Sequence, residues 1–139
     1  MKVSNFIATL LFFTLLAGCD KNTTSNEPRG GWYVISDQNE IMGDALFNRY
    51  DIDQIWIETS PGSGSKSAYI VTGSFTPDAT ARLSAFTQQH IGKRFGFVLD
   101  KEIITSERIE QSWEEGWFSI PFRKKSKARR AYESLLIGK

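Results

Sequence analysis

Few residues in this 139-residue chain could carry out covalent catalysis. It contains one cysteine, Cys19, and one histidine, His90. A serine or cysteine nucleophile usually needs a neighbouring base, and zinc sites need several His or Cys ligands. His90 falls in the last turn of a predicted helix, where the helix dipole favours histidine for a structural reason. We therefore predict no catalytic residue, no metal ligand and no cofactor.

Two pairs of carboxylates are the remaining candidates for acid–base or metal chemistry. Asp51 and Asp53 alternate along the chain, whereas Glu114 and Glu115 are adjacent. Acidic pairs in loops are usually solvated, so neither pair indicates a glycosidase or a calcium site. The glycine-rich run GSGS at residues 62–65 lacks the Gly-Lys-Ser/Thr ending of a phosphate-binding loop and is typical of a turn.

The sequence around Cys19 indicates lipid attachment and not catalysis. Lys2 supplies a positive charge, and residues 6–16 are almost unbroken apolar sequence, shorter than the ~20 residues that a spanning helix needs. The junction LAGC at residues 16–19 resembles the lipobox of bacterial lipoproteins. In that family diacylglycerol is attached to the cysteine thiol, the chain is cut before it, and the new amine is acylated. The resemblance implies a lipidated Cys19, with palmitate as the expected acyl group.

A plain signal peptide, or an uncleaved anchor with a chance cysteine, is the alternative interpretation of this N-terminus. Asp20 follows the cysteine directly and resembles the signal that retains enterobacterial-type lipoproteins at the inner membrane. The implied location is the periplasmic side of the inner membrane, lipid-anchored, with the outer membrane as the alternative. The predicted domains are a signal peptide (1–18), a lipidated flexible tether (19–31) and one periplasmic domain (32–139).

The charge of the chain is nearly balanced but unevenly placed. The formal net charge of +1 does not favour a nucleic-acid partner. Residues 20–60 contain eight acids against three bases, whereas residues 121–139 contain seven bases against one acid. The basic tail could face anionic lipid headgroups or an acidic partner. A solvated helix face is the more ordinary interpretation.

The periodicity of apolar residues predicts an α+β fold. We expect a short helix from Asp37 to about Arg49, a helix capped by Thr76 and ended by Gly92, and a last helix capped by Ser126. The predicted strands cover residues 32–35, 54–59, 67–74, 94–99, 102–105 and 117–122. This order predicts a mostly antiparallel sheet with two main helices packed on one face. The predicted buried stripes include Leu83 and Phe86 on one helix and Tyr132, Leu135 and Leu136 on the other.

The order of these signals over residues 75–138 resembles the periplasmic P1 head of SecD, a subunit of the bacterial preprotein translocase. The resemblance is carried by FTPDATAR at 75–82, GKR at 92–94, VLD at 98–100, GWFSI at 116–120 and the Ala/Leu-rich segment 128–136. Lys101 replaces the glycine of the family's hairpin, and the six-helix membrane part is absent from this sequence. The resemblance therefore implies the fold, and a surface that meets polypeptide, but not proton-driven translocation.

Four tryptophans are many for so small a domain. Trp113 and Trp117 flank the acidic pair Glu114-Glu115, and an exposed aromatic pair there would suit protein binding. We predict that these two residues bind an unidentified periplasmic protein. The predicted function is a membrane-anchored, non-enzymatic protein-interaction module, and the resemblance to SecD suggests an association with protein export. The alternatives are an immunity or inhibitor lipoprotein that blocks a toxin or hydrolase, and, more weakly, an enzyme that uses carboxylates.

Overall fold

The computed structural model describes residues 29–61 and 68–136, so the predictions made for the signal peptide, Cys19 and Asp20 lie outside the described residues. Within these described residues, seven strands and two main helices follow one another. They are β1 (Gly30–Ile35), β2 (Ile41–Phe47), β3 (Ile52–Ser60), β4 (Ala68–Phe75), α1 (Pro77–Gln89), β5 (Arg94–Leu99), β6 (Glu102–Arg108), β7 (Trp117–Phe122) and α2 (Lys125–Leu135). One 3-10 turn, Arg49–Asp51, lies between β2 and β3.

The strands form two antiparallel sheets. One has the order β2-β1-β5-β6 and the other the order β3-β4-β7. The predicted α+β class with mainly antiparallel strands is confirmed, although the strands are divided between two sheets where we expected one. The division arises because β7 pairs with β4, from Tyr69–Phe122 to Ser74–Trp117, and not with its sequence neighbour β6. The strand β7 is an edge strand of its sheet, which suits Pro121, because proline has no N–H to donate to a further strand.

A single aromatic-rich core joins the two sheets. Trp32 on β1 is 6% exposed, and its ring makes edge contacts with Phe75, Phe97 and Phe118 at centroid distances of 4.8, 5.0 and 4.8 Å. Phe75 and Phe118 belong to the second sheet, so Trp32 links the two sheets directly. Such edge-to-face pairs stabilise a core beyond the burial of their area, by ~0.5–1.5 kcal/mol each.

The helix α1 begins and ends where the sequence predicts. The Thr76 hydroxyl accepts a hydrogen bond from the backbone N–H of Ala79 at 3.2 Å, and Pro77 occupies the first turn. Gly92, with a φ of +86°, lies just beyond the end of the helix in the left-handed region that glycine adopts readily. Leu83 is 2% exposed, and Phe86 packs against the core from its edge.

The helix α2 differs from its prediction at both ends. It begins at Lys125 with Lys124 as its N-cap, and no side chain caps it, so the predicted cap at Ser126 is wrong. Ser126 lies inside the first turn because the chain becomes helical within three residues of the end of β7. Leu135 is buried as predicted, but Leu136 is 42% exposed. The helix ends before Leu136, whose extended backbone takes it off the buried stripe.

The helix predicted from Asp37 to about Arg49 is wrong, because this segment forms a hairpin with β1. The Ser36 hydroxyl accepts the N–H groups of Gln38 and Glu40 at 3.2 and 3.0 Å, and Asn39 adopts a φ of +61°. The following residues form β2, in which Phe47 lies opposite Trp32 and is 2% exposed. Pairing with β1 and burial of Phe47 therefore override the local helix signal.

Candidate partner-binding groove

A groove of about 280 Å³ lies between β6 and β7. These strands are the edge strands of different sheets. Among the strands that the structure describes, β6 hydrogen-bonds only to β5, and β7 only to β4. The groove is lined by Trp32, Phe95, Gly96, Phe97, Thr105, Ser106, Glu107, Trp113, Trp117, Phe118, Ser119 and Ile120. It thus combines an aromatic floor with two strand edges, which is the arrangement that accepts an extended peptide.

Trp113 is held in the groove by the segment that connects β6 to β7. Its backbone N–H donates to the Thr87 hydroxyl on α1 at 2.9 Å, and that hydroxyl donates to the Leu83 carbonyl at 2.9 Å. The indole ring makes an edge contact with Phe95 at 5.6 Å and is half-buried. Trp113 is therefore a wall of the groove that also belongs to the core.

Glu114, one member of the acidic pair next to Trp113, contributes to this positioning. Glu114 accepts hydrogen bonds from Ser112 at 2.6 Å and from Ser84 on α1 at 3.0 Å. These hydroxyl groups, first Ser112 and then Ser84, lower the pKa of the Glu114 carboxyl. At Gly116 the chain passes so close to Thr80 on α1 that a Cβ would collide with that side chain. The connecting segment is thereby fixed on α1.

Trp117 is the exposed member of the pair. It is 58% exposed at the first position of β7, and its ring makes an edge contact with Trp56 on β3 at 5.9 Å. Trp56 in turn donates its indole N–H to Glu58 at 2.6 Å. The structure thus brings Trp113 and Trp117 to the same groove, where Trp117 is exposed and Trp113 is half-buried. Their role as a partner-binding pair stays a prediction.

Comparison with known proteins assigns this fold. The family model "SecDF, P1 head subdomain" matches residues 23–131. The chain belongs to the SecDF P1 head family. The match confirms the resemblance seen over residues 75–138 and begins much nearer the N-terminus. A search of the curated proteins found no match.

Solved SecDF structures share the P1 head fold. One, described as SecDF, a membrane component that enhances protein export, is 23% identical with a TM-score of 0.54, and the match covers 73% of this chain and 44% of that one. Another, SecDF in a super-membrane-facing form, is 23% identical with a TM-score of 0.53, and the match covers 73% of this chain and 13% of that one. The chain thus spans less than half the length of either SecDF chain. In the described part of this P1 head, no helix is long and apolar enough to cross a bilayer.

One wall of the P1 head groove was missed by the sequence analysis. Thr105, Ser106 and Glu107 line it, and Arg94 donates to the Ser106 hydroxyl from the neighbouring strand. The predicted strand ended at Thr105, whereas β6 continues to Arg108. Ser106, Glu107 and Arg108 are all polar, so no apolar alternation marks them as a strand. Their position beside β7 also depends on contacts that no local pattern encodes.

Two other candidates for chemistry in this P1 head, Asp51 and His90, have structural partners. Asp51 accepts the N–H of Asn48 at 2.9 Å and pairs with Arg82. The Nδ1 atom of His90 lies 2.7 Å from the Phe86 carbonyl oxygen, and its ring stacks on Phe86 at 4.2 Å. Among residues 29–61 and 68–136, no three His, Cys, Asp or Glu side chains form a group that could hold a metal ion.

Proposed function

We propose that this chain is a lipid-anchored, non-enzymatic protein-interaction module that binds extended polypeptide in the groove between β6 and β7. Membership of the SecDF P1 head family links the domain to protein export. The observation that carries the proposal is the exposed Trp117 beside a groove bounded by two strand edges. Lipid on Cys19 would hold the module at the periplasmic face of the membrane, with Asp20 favouring the inner membrane.

Recognition through strand edges suits a partner without a fixed sequence. An added strand bonds through its backbone, which every polypeptide offers, and side-chain pockets add only selectivity. The groove presents the half-buried rings of Trp113 and Phe118, which favour large apolar side chains. A chain that has not yet folded exposes both its backbone and such side chains. The groove is therefore suited to unfolded polypeptide more than to a folded surface.

Titration of a permanently unfolded secretory polypeptide, labelled with a fluorophore, tests this function. Trp117→Ala should weaken binding about tenfold or more, because truncating an aromatic anchor typically costs ~1–2 kcal/mol or more. Tyr50→Ala is the matched control, because Tyr50 is an aromatic residue that is 70% exposed and does not line the groove.

Equal affinities of wild type and Trp117→Ala would contradict the proposal. Binding of a folded toxin or hydrolase, with no affinity for the unfolded polypeptide, would favour the immunity-type alternative instead.

A further inference from the structure

A group of exposed cations surrounds the start of α2. This basic patch consists of Arg123, Lys124, Lys125 and Arg129. All four are exposed, and none forms an ion pair within residues 29–61 and 68–136. By contrast, Lys127 and Arg130 on the same helix pair with Glu102 and Asp100. Glu133 is the one acid on α2.

The basic patch is unfavourable for the helix that carries it. The N-terminus of a helix bears a partial positive charge, which acidic residues offset and basic residues oppose. The first turn of α2 contains no acid, and Lys124 at the N-cap makes no side-chain capping bond. Lys125 and Arg129 lie four residues apart, where like charges repel. An external anionic surface would relieve this repulsion.

The chain enters the described fold next to α2. The backbone N–H of Arg29 donates to the Asp100 carboxylate at 3.1 Å, and the Asp100 N–H donates to the Arg29 carbonyl at 2.9 Å. The same carboxylate pairs with Arg130 on α2. At Gly30, a Cβ would collide with the hydroxyl of Ser134, also on α2. The N-terminal segment therefore joins the domain on the side of α2.

We propose that the basic patch docks on the anionic headgroups of the membrane that holds Cys19. The inference rests on the lipid anchor proposed above. Ten peptide units separate Cys19 from Arg29, so this segment can reach at most about 35 Å. The anchor would thus keep the patch near the surface, where each basic residue strengthens attachment to anionic lipid about fivefold.

Docking through the basic patch would also orient the groove. Trp117 begins β7 and Arg123 follows its last residue, so about 20 Å of strand separates them. With Arg123 on the headgroups, the Trp117 end of the groove would point away from the membrane. A polypeptide in the periplasm could then reach it without competing with lipid.

Amine labelling of the lipidated full chain in vesicles tests the docking. The chain is reconstituted in phosphatidylcholine with or without phosphatidylglycerol and treated with a membrane-impermeant amine reagent, and labelled sites are quantified by mass spectrometry. Lys124 and Lys125 report on the basic patch. Lys93, an exposed lysine immediately before the first residue of β5, is the internal reference. We expect labelling of Lys124 and Lys125, relative to Lys93, to fall severalfold when phosphatidylglycerol is present and to recover in high salt.

The double variant Arg123→Gln, Arg129→Gln keeps both reporter lysines and should lose most of this protection. The control variant Arg108→Gln removes a cation near Lys93, outside the basic patch, and should retain the protection of Lys124 and Lys125. An unchanged labelling ratio in the two vesicle types would overturn the docking. So would protection that appears only when an acidic periplasmic protein is added. Flotation with phosphatidylcholine vesicles reports the anchor separately, so a failed anchor and a failed docking give different results.

Discussion

Asp100 shows how one side chain can hold the N-terminus of this domain on its last helix. Its backbone φ of +49°, together with +68° at Lys101, forms the two-residue turn between β5 and β6. Aspartate tolerates this conformation, whereas lysine does not favour it. The hydrogen bond from Arg130, and then the backbone N–H of Arg29, lowers the pKa of the Asp100 carboxyl. Asp100 therefore connects three parts of the chain: the β5–β6 turn, the segment at Arg29 and the helix α2.

The stability that Asp100 contributes should depend on pH. Because the pKa of Asp100 is lower in the folded than in the unfolded chain, its carboxylate stabilises the fold above the unfolded value near 3.9. That contribution is lost as the pH falls through the folded pKa. The Asp100 side chain is 36% exposed and so partly screened by solvent, and we expect its contribution to the free energy of unfolding to be less than ~1 kcal/mol. Asp100→Asn should narrow the difference between urea midpoints at pH 7 and pH 3, whereas the exposed control Asp44→Asn should not. Equal narrowing in both variants would refute the assignment.

Cys19 carries the proposed anchor. If its thiol takes the lipid, Cys19→Ala should abolish incorporation of labelled fatty acid and leave an uncleaved precursor. The measurement is metabolic labelling followed by electrophoresis, with Ser25→Ala as a control that should label normally. Acylation of the Cys19→Ala chain at the wild-type level would rule out this anchor.

At the scale of elements, local chemistry predicted α1 well and α2 less well. Thr76, Pro77 and Gly92 act through neighbouring backbone, so sequence patterns could identify them. By contrast, the segment 41–47 is a strand because it pairs with β1, a contact outside the segment itself. The first residue of α2 is likewise set by the position of the preceding strand β7. The same distinction applies to the groove: Trp117 stood out by type and spacing, whereas Ser106 lines it only because β6 lies beside β7.

Thr76 and Ser126, the two residues that the sequence predicted as helix N-caps, should respond differently to truncation. Thr76→Ala removes a hydrogen bond to the Ala79 N–H and should cost about 1 kcal/mol of unfolding free energy. Ser126→Ala should cost less than ~0.5 kcal/mol, since Ser126 caps nothing. Urea unfolding of a soluble form beginning at residue 23, where the family match starts, measures both. Equal losses would mean that the caps are assigned wrongly.

At the scale of the whole molecule, both helices contribute to one core from different ends of β5. Phe86 on α1 packs on Phe95 near the start of that strand, whereas Arg130 on α2 pairs just beyond its end. Leu83 and Leu135 are the largest buried apolar side chains of α1 and α2, at 2% and 0% exposure. The core therefore depends on both helices.

Truncation of either leucine should remove much of the stability. Leu83→Ala and Leu135→Ala should each cost ~2–5 kcal/mol, out of the ~5–15 kcal/mol typical of a domain. Ile91→Ala is the matched control, because Ile91 is 52% exposed and its truncation should cost less than ~0.5 kcal/mol. Wild-type urea midpoints for both leucine variants would show that the helices do not share the core.

Site-specific photocrosslinking in living cells tests the central claim most directly. A photoreactive amino acid is placed at Ser106 or Ser119, on opposite walls of the groove, or at Tyr50, which does not line it. If the groove binds extended polypeptide, both groove positions should crosslink to exported chains while secretion is active, and Tyr50 should not. Crosslinks absent from both walls, or equally abundant at Tyr50, would contradict the account.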